Sequence, residues 1–208
     1  QIAKTGLSSK VFSRLTSLLE NNRLRIIQMA GPSAAFSWWG DLAKDSSFLT
    51  TYAYYADWSA SKSLGIKTNQ NQWDNLLDIY NQKSQEESLL LNAVSLYLAN
   101  KMEVPIKTLL KGLTETGQSM HLAKLINKSK YLSTSYALPS EQNILSDSLA
   151  IVLIKVTAQD LGIPLSVQFL QIVDIARINL ETTDNPLAKA LMILENHQNR
   201  LPLKHKEK

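Results

Sequence analysis

The sequence predicts an all-α fold of roughly seven to nine helices, packed as a helical bundle or as tandem helical hairpins, with no sheet. Apolar residues recur at helical spacing along most of the chain. The 208 residues include only seven glycines and six prolines, so turns are few and the elements should be long. No series of segments alternates apolar and polar residues as strands do. A content of 44% hydrophobic and 19% charged residues is typical of a folded protein.

The first predicted helix covers about residues 8–30. Ser8 and Ser9 are candidate N-caps, and Gly31-Pro32 ends the segment. Its apolar residues form one stripe at helical spacing: Val11, Phe12, Leu15, Leu18, Leu19, Ile26 and Met29.

The next segment, residues 36–58, is rich in aromatic residues. We expect a short helical piece and then a helix over 46–64, with a main inward stripe of Leu49, Tyr52, Ala53, Ala56 and Ala60.

Other aromatic residues of this segment fall outside that inward stripe. Tyr54 and Trp58 fall on roughly the opposite side of the helix, and Trp38 and Trp39 precede it. These four residues are the predicted partner-binding surface, because Tyr and Trp combine a large apolar area with a polar group. Burial of the helix on both faces is the favoured interpretation of this segment, the partner-binding surface is the hypothesis for the site, and stacking of sugars or bases is the remaining alternative.

The middle of the chain reads as four further helices. Trp73, Leu76, Leu77 and Tyr80 repeat at i, i+3, i+4 and i+7, and 84–87 is a capping-box sequence before a helix that runs to about Met102. Shorter helices are expected over 105–112 and 118–128, and the polar segment 129–140 is the best loop candidate.

The last third is expected to contain three helices. Residues 140–161 include the apolar run LAIVLIKV, which is typical of a buried central helix. Pro164 and Pro186 each suit the first turn of a following helix. We expect one domain over 1–208, with a possible subdivision near 129–139 and a basic tail at 198–208.

Two eight-residue segments resemble each other. ANKMEVPI at 99–106 and AQDLGIPL at 158–165 both end a long apolar helix and restart a new one at a proline. The shared pattern predicts a tight helix–proline–helix corner, because proline cannot continue the incoming helix but suits the first turn of the next. The repeat is compatible with tandem helical hairpins, although helical proteins also reuse such corners.

The segment 101–130 is a candidate basic surface with a net charge of +4. Lys107 and Lys111 lie four residues apart, and His121, Lys124 and Lys128 share one face of the predicted 118–128 helix. Such a patch suits phosphates or an acidic protein, and a solvated helix face is the simplest interpretation.

A catalytic interpretation rests on one residue, Glu87. EESLLLNAVS at 86–95 resembles the segment around the catalytic glutamate of lytic transglycosylases, where a carboxyl group of raised pKa acts as general acid. The spacing here is one residue short, and the Gly-Leu-Met-Gln segment that follows in that family is absent. In the first turn of a helix, Glu87 would stay ionised.

The motif search predicts no cofactor and no metal site. The three histidines have no second ligand at i+3 or i+4, cysteine is absent, and the sequence contains no phosphate-binding loop or dinucleotide fingerprint. No run approaches the roughly 18 to 20 apolar residues of a membrane span. A cysteine-free chain fits the cytoplasm or the periplasm, and we expect the cytoplasm.

These observations favour a non-catalytic helical interaction or scaffold domain, expected to be the soluble part of a larger protein or assembly. Because the chain begins at Gln1, we expect it to be a processed or excised product. The expected partner is a protein or a second copy of the chain. A nucleic-acid-binding domain that uses 101–130 is the first alternative, and a polysaccharide-acting enzyme with Glu87 as acid is the second.

Overall fold

A computed structural model describes residues 8–31, 34–37, 45–67, 71–83, 88–115, 140–182 and 184–200. Eight helices lie within these ranges: α1 (Ser9–Gln28), α2 (Ser47–Leu64), α3 (Asn71–Lys83), α4 (Leu89–Lys101), α5 (Lys107–Thr114), α6 (Ser140–Asp160), α7 (Val167–Glu181) and α8 (Pro186–Arg200). The all-α prediction is confirmed.

One short antiparallel pair, β1 (Phe36–Ser37) and β2 (Asp45–Ser46), departs from the prediction of no sheet and lies where a short helical piece was expected. Phe36 pairs with Ser46 and Ser37 with Asp45. A ladder this short carries no alternating pattern of apolar and polar residues, so no sequence pattern indicates it. The predicted 118–128 helix and most of the 129–140 loop lie outside the described residues.

The chain divides into two compact units, which are described separately. Unit 1 comprises Gln1–Ser88 and Lys101–Val104, and unit 2 comprises Leu89–Asn100 and Pro105–Lys208. The possible subdivision at 129–139 and most of the predicted tail lie outside the described residues.

Helix α2 is the centre of unit 1, because α1, α3 and β1 all pack against it. A polar contact joins α1 to α2: Arg23 Nε donates a hydrogen bond to Ser61 Oγ at 2.8 Å and lies 2.8 Å from Asp57 Oδ1. Asp57 is buried, so the guanidinium supplies the charge partner that a buried carboxylate requires.

Helix α6 is the centre of unit 2, where α5, α7 and α8 pack around it. Its apolar run is buried as predicted, with Ile151, Val152, Ile154 and Val156 at 0–1% exposure. Phe169 and Val173 of α7 and Ala188 of α8 are also buried.

The same run contains a buried lysine, whose charge is met by a carboxylate of α8. Lys155 Nζ of α6 donates a hydrogen bond to Glu195 Oε1 of α8, and Glu195 is fully buried. Arg177 Nε of α7 lies 3.4 Å from Glu195 Oε2. One carboxylate therefore connects three helices of unit 2 electrostatically.

The two predicted helix–proline–helix corners share a backbone conformation. Glu103 (φ 64°) and Gly162 (φ 63°) occupy the same place in the two aligned segments, and both are left-handed. At the second corner, Ile163 N donates to Ala158 O at 2.9 Å and Gly162 N to Gln159 O at 3.0 Å, which is the pattern of a left-handed helix cap. Val104 and Ile163, the residues before the two prolines, are both buried. The sequence similarity therefore corresponds to a structural one.

Candidate partner-binding surface

Helix α2 carries most of the candidate site, and its ends are set by local sequence. The side chain of Ser46 accepts a hydrogen bond from Leu49 N at 3.1 Å and caps the first turn. Gly65 ends the helix in the left-handed conformation, with φ 70°. The predicted helix over 46–64 is therefore confirmed, as Ser47–Leu64.

The buried face of α2 is largely polar. Its buried residues are Ser47, Thr50, Thr51, Tyr54, Asp57, Ala60 and Ser61. Thr50 Oγ1 donates to Ser46 O and Thr51 Oγ1 to Ser47 O, each at 2.7 Å. Because these hydroxyl groups donate to the carbonyl one turn earlier, they are buried without loss of a hydrogen bond.

Tyr54 lies in the interior of unit 1. Its side-chain hydroxyl donates to Ala34 O at 2.6 Å, and its ring meets the ring of Phe36 edge to face, with centroids 6.2 Å apart. Burial raises the pKa of Tyr54, and the negative charge of Asp57 raises it further, although a hydrogen bond with Asn75 lowers it. Tyr54 is therefore part of the interior and not of an exposed partner-binding patch, because its ring packs on Phe36 and its hydroxyl group has an internal acceptor.

The outward face of α2 instead presents two stacked aromatic pairs, which we call the aromatic stripe: Phe48, Tyr52, Tyr55 and Trp58. The ring centroids of Phe48 and Tyr52 are 6.1 Å apart, and those of Tyr55 and Trp58 are 5.9 Å apart. Lys62 Nζ lies 4.6 Å from the centroid of the Trp58 ring, at the distance of a cation–π contact.

The side chains of the aromatic stripe are partly exposed and are held in place by stacking. Tyr52 is 56% exposed, Trp58 and Tyr55 are half-buried, and Lys62 is exposed. The expectation of Tyr52 in the core was wrong, because the hydroxyl-bearing residues of the opposite face are buried instead. Rings held by stacking lose little conformational freedom when they meet a partner, so this face is suited to binding.

The spacing of the aromatic residues in the sequence is a signal for this stripe. The aromatic residues at 48, 52, 55 and 58 and the lysine at 62 follow each other at intervals of four, three, three and four. Such intervals place side chains on one helical face. The alanines at 53, 56 and 60 masked the signal, because an apolar stripe normally marks the buried face.

The other predicted site residues are described only in part. Lys107 and Lys111 are exposed and lie one turn apart on α5. His121, Lys124, Lys128, Trp38 and Trp39 lie outside the described residues, as does Glu87. The structure therefore brings together two members of the predicted basic patch, and of the predicted aromatic surface it places Trp58 on the outward side.

The described part of the chain contains no group of three or more His, Cys, Asp or Glu residues that could hold a metal ion. Among the described helices, none is both long enough and apolar enough to cross a membrane.

The described part of the chain is thus an all-α protein whose second helix presents an ordered aromatic face. Comparison with known proteins shows what the chain resembles. The chain is similar to an alpha-2-macroglobulin of Ralstonia nicotianae, with 31% identity over 185 residues. The similarity covers 86% of this chain and 11% of that protein, so the chain spans about a ninth of the macroglobulin's length.

The other comparisons found no match. No protein-family model matches the chain, and no solved structure matches it.

Proposed function

We propose that the chain is a non-catalytic protein–protein interaction module and that the aromatic stripe with Lys62 is its contact surface. The observation that carries the proposal is the stacked and partly exposed set on α2. Aromatic residues are enriched at the cores of protein interfaces, where a few of them supply most of the binding free energy. A stripe along one helix suits a groove or a second helix on the partner.

We further propose that the chain acts as a part of a larger protein or assembly, and its similarity to about a ninth of an alpha-2-macroglobulin supports this. A segment of a long polypeptide normally meets neighbouring segments through surfaces such as this one.

Site-specific photocrosslinking tests the proposal. A photoreactive phenylalanine analogue replaces Tyr52, the most exposed residue of the stripe, and the protein is irradiated in the cells that naturally express it. We expect one discrete protein adduct. Trp58→Ala should reduce its yield by roughly tenfold or more, because a Trp at an interface core typically contributes about 2 kcal/mol.

A matched control changes a different exposed surface. Lys107→Ala with Lys111→Ala on α5 should leave the Tyr52 adduct unchanged. The proposal fails if no discrete adduct forms, or if the adduct forms equally with and without Trp58.

A second candidate function is nucleic-acid binding through the 101–130 region. The exposed pair Lys107 and Lys111 favours it, because lysines one turn apart can contact neighbouring phosphates. Binding to mixed DNA and RNA at two salt concentrations tests it. Absence of binding at low salt, where phosphate contacts are strongest, would eliminate this candidate.

A further inference from the structure

Helix α1 of unit 1 leaves part of its apolar stripe uncovered. Its residues nearest to α2 are half-buried: Leu19, Arg23 and Ile26. Val11, Leu15 and Leu18 lie beside them at i, i+4 and i+7, and they are 43–51% exposed. None of the helix residues is fully buried. Exposed apolar side chains in a row on one helix are typical of a contact surface.

Basic residues flank the exposed apolar residues Val11, Leu15 and Leu18. Lys10, Arg14 and Arg25 are exposed and lie on the same side of α1 as Leu18. Glu20 is the acidic residue of the helix and lies on the far side. We call Val11, Leu15 and Leu18, together with Lys10, Arg14 and Arg25, the basic face.

Helix α7 of unit 2 carries a surface of the same kind with the opposite charge. Val167, Leu170, Ile175 and Ile178 are 39–67% exposed, and Asp174 and Glu181 are exposed among them. The basic residue of this helix, Arg177, has its Nε 3.4 Å from the buried Glu195. We call these four apolar and two acidic residues the acidic face.

One charged residue at an end of each helix interacts unfavourably with the dipole of its own helix. Lys10 stands in the first turn of α1, where the helix dipole favours acidic residues, and Glu181 is the last residue of α7, where it favours basic ones. Each placement is unfavourable for the helix that carries it. An opposite charge from another molecule would offset this unfavourable interaction.

We propose that two copies of this chain associate through the basic face of α1 on one copy and the acidic face of α7 on the other. The two faces are alike in apolar character and opposite in charge, so burial of the apolar side chains places the cations of one copy near the carboxylates of the other. Like charges prevent α1 from pairing with α1, and α7 with α7. This inference does not depend on the aromatic stripe.

A charge-exchange experiment by analytical ultracentrifugation tests the proposal. Wild-type protein should show an average mass that rises with concentration above that of one chain. Arg14→Glu with Arg25→Glu should weaken self-association by roughly tenfold or more, and so should Asp174→Lys with Glu181→Lys, since opposed pairs become like-charged pairs. An equimolar mixture of the two double variants should associate again, because each supplies the face that the other needs.

Three comparisons make the result specific. Lys107→Glu with Lys111→Glu alters two exposed lysines elsewhere and should leave self-association unchanged. Leu18→Ser should weaken it at all salt concentrations, since apolar contact is not screened. Circular dichroism verifies that each variant keeps the wild-type helix content.

Three outcomes would overturn the proposal. The wild type could remain monomeric at every concentration, or the two double variants could fail to associate when mixed. Alternatively, the chain could bind vesicles of phosphatidylglycerol in a way that Arg14→Glu with Arg25→Glu abolishes while self-association stays absent. That last result would identify the basic face as a lipid-binding one.

Discussion

Single residues in left-handed backbone conformations define the two helix–proline–helix corners. A non-glycine residue in this region costs about 1–2 kcal/mol because its Cβ approaches the following carbonyl group. Gly162 avoids this cost and Glu103 bears it, although both have nearly the same φ. The two corners therefore share a geometry and differ in strain.

This difference predicts that substitutions at the two corners change the free energy of unfolding in opposite directions. Glu103→Gly should raise the free energy of unfolding by about 1 kcal/mol, because the strain disappears. Gly162→Ala should lower it by about the same amount, although a Cβ at Gly162 meets no atom within 4 Å. Chemical denaturation measures both. Gly112→Ala is the control: Gly112 lies within α5, where alanine is favoured by about 1 kcal/mol, so the same substitution should stabilise there.

Because of Tyr54, the stability of unit 1 depends on pH in the alkaline range. Its pKa is raised mainly by burial, so the folded state holds the phenolic proton more tightly than the unfolded chain does. The resulting stability is fully present below the unfolded pKa of about 10 and is lost as pH rises through the folded pKa.

Tyr54→Phe tests this link. At neutral pH the variant should lose about 1 kcal/mol, because Ala34 O loses its 2.6 Å donor. Above pH of about 10 the stability of the wild type should fall more steeply than that of the variant, as denaturation at several pH values would show. Tyr52→Phe, at an exposed position, is the neutral-pH control and should change stability little. Parallel pH profiles for wild type and Tyr54→Phe would contradict the prediction.

At the scale of the element, periodicity predicted the helices better than it predicted their orientation. The bounds of α2 and the burial of α6 followed from caps and from an apolar run. The orientation of α2 did not, because hydropathy treats threonine, serine and aspartate as outward residues. The hydroxyl groups of Thr50 and Thr51 donate hydrogen bonds to carbonyl groups one turn earlier. Asp57 forms an ion pair with Arg23 of α1, which is remote in sequence. No local pattern contains that contact.

The buried carboxylate of α8 gives an element-scale prediction. Lys155→Met removes the cation bonded to Glu195 and leaves the buried carboxylate of Glu195 without that charge partner. The free energy of unfolding should therefore fall by about 3 kcal/mol. Lys155→Met with Glu195→Leu removes both charges and should recover most of the loss, as a denaturation series on the single and double variants would show. Equal destabilisation in the single and double variants would mean that the charge pair is not the cause.

At the scale of the whole molecule, burial differs greatly from helix to helix. Helix α6 is the most buried of the described helices in unit 2, and α1 of unit 1 has no fully buried residue. Local opening costs little free energy where few apolar contacts are lost. Amide hydrogen exchange should therefore be fastest in α1 and slowest at Ile151, Val152 and Ile154 of α6. Slower exchange in α1 at high protein concentration would reveal its coverage by a second copy.

The polar buried face of α2 also has a calorimetric consequence. Exposure of apolar surface raises the heat capacity of a protein, and exposure of polar surface lowers it. The centre of unit 1 buries hydroxyl groups and a carboxylate, and that of unit 2 buries isoleucine and valine. We therefore expect unfolding of α2 and its neighbours to contribute less heat-capacity change per residue than unfolding of α6 and its neighbours. The stability of the α2 region should then vary less with temperature, and cooling should weaken it less.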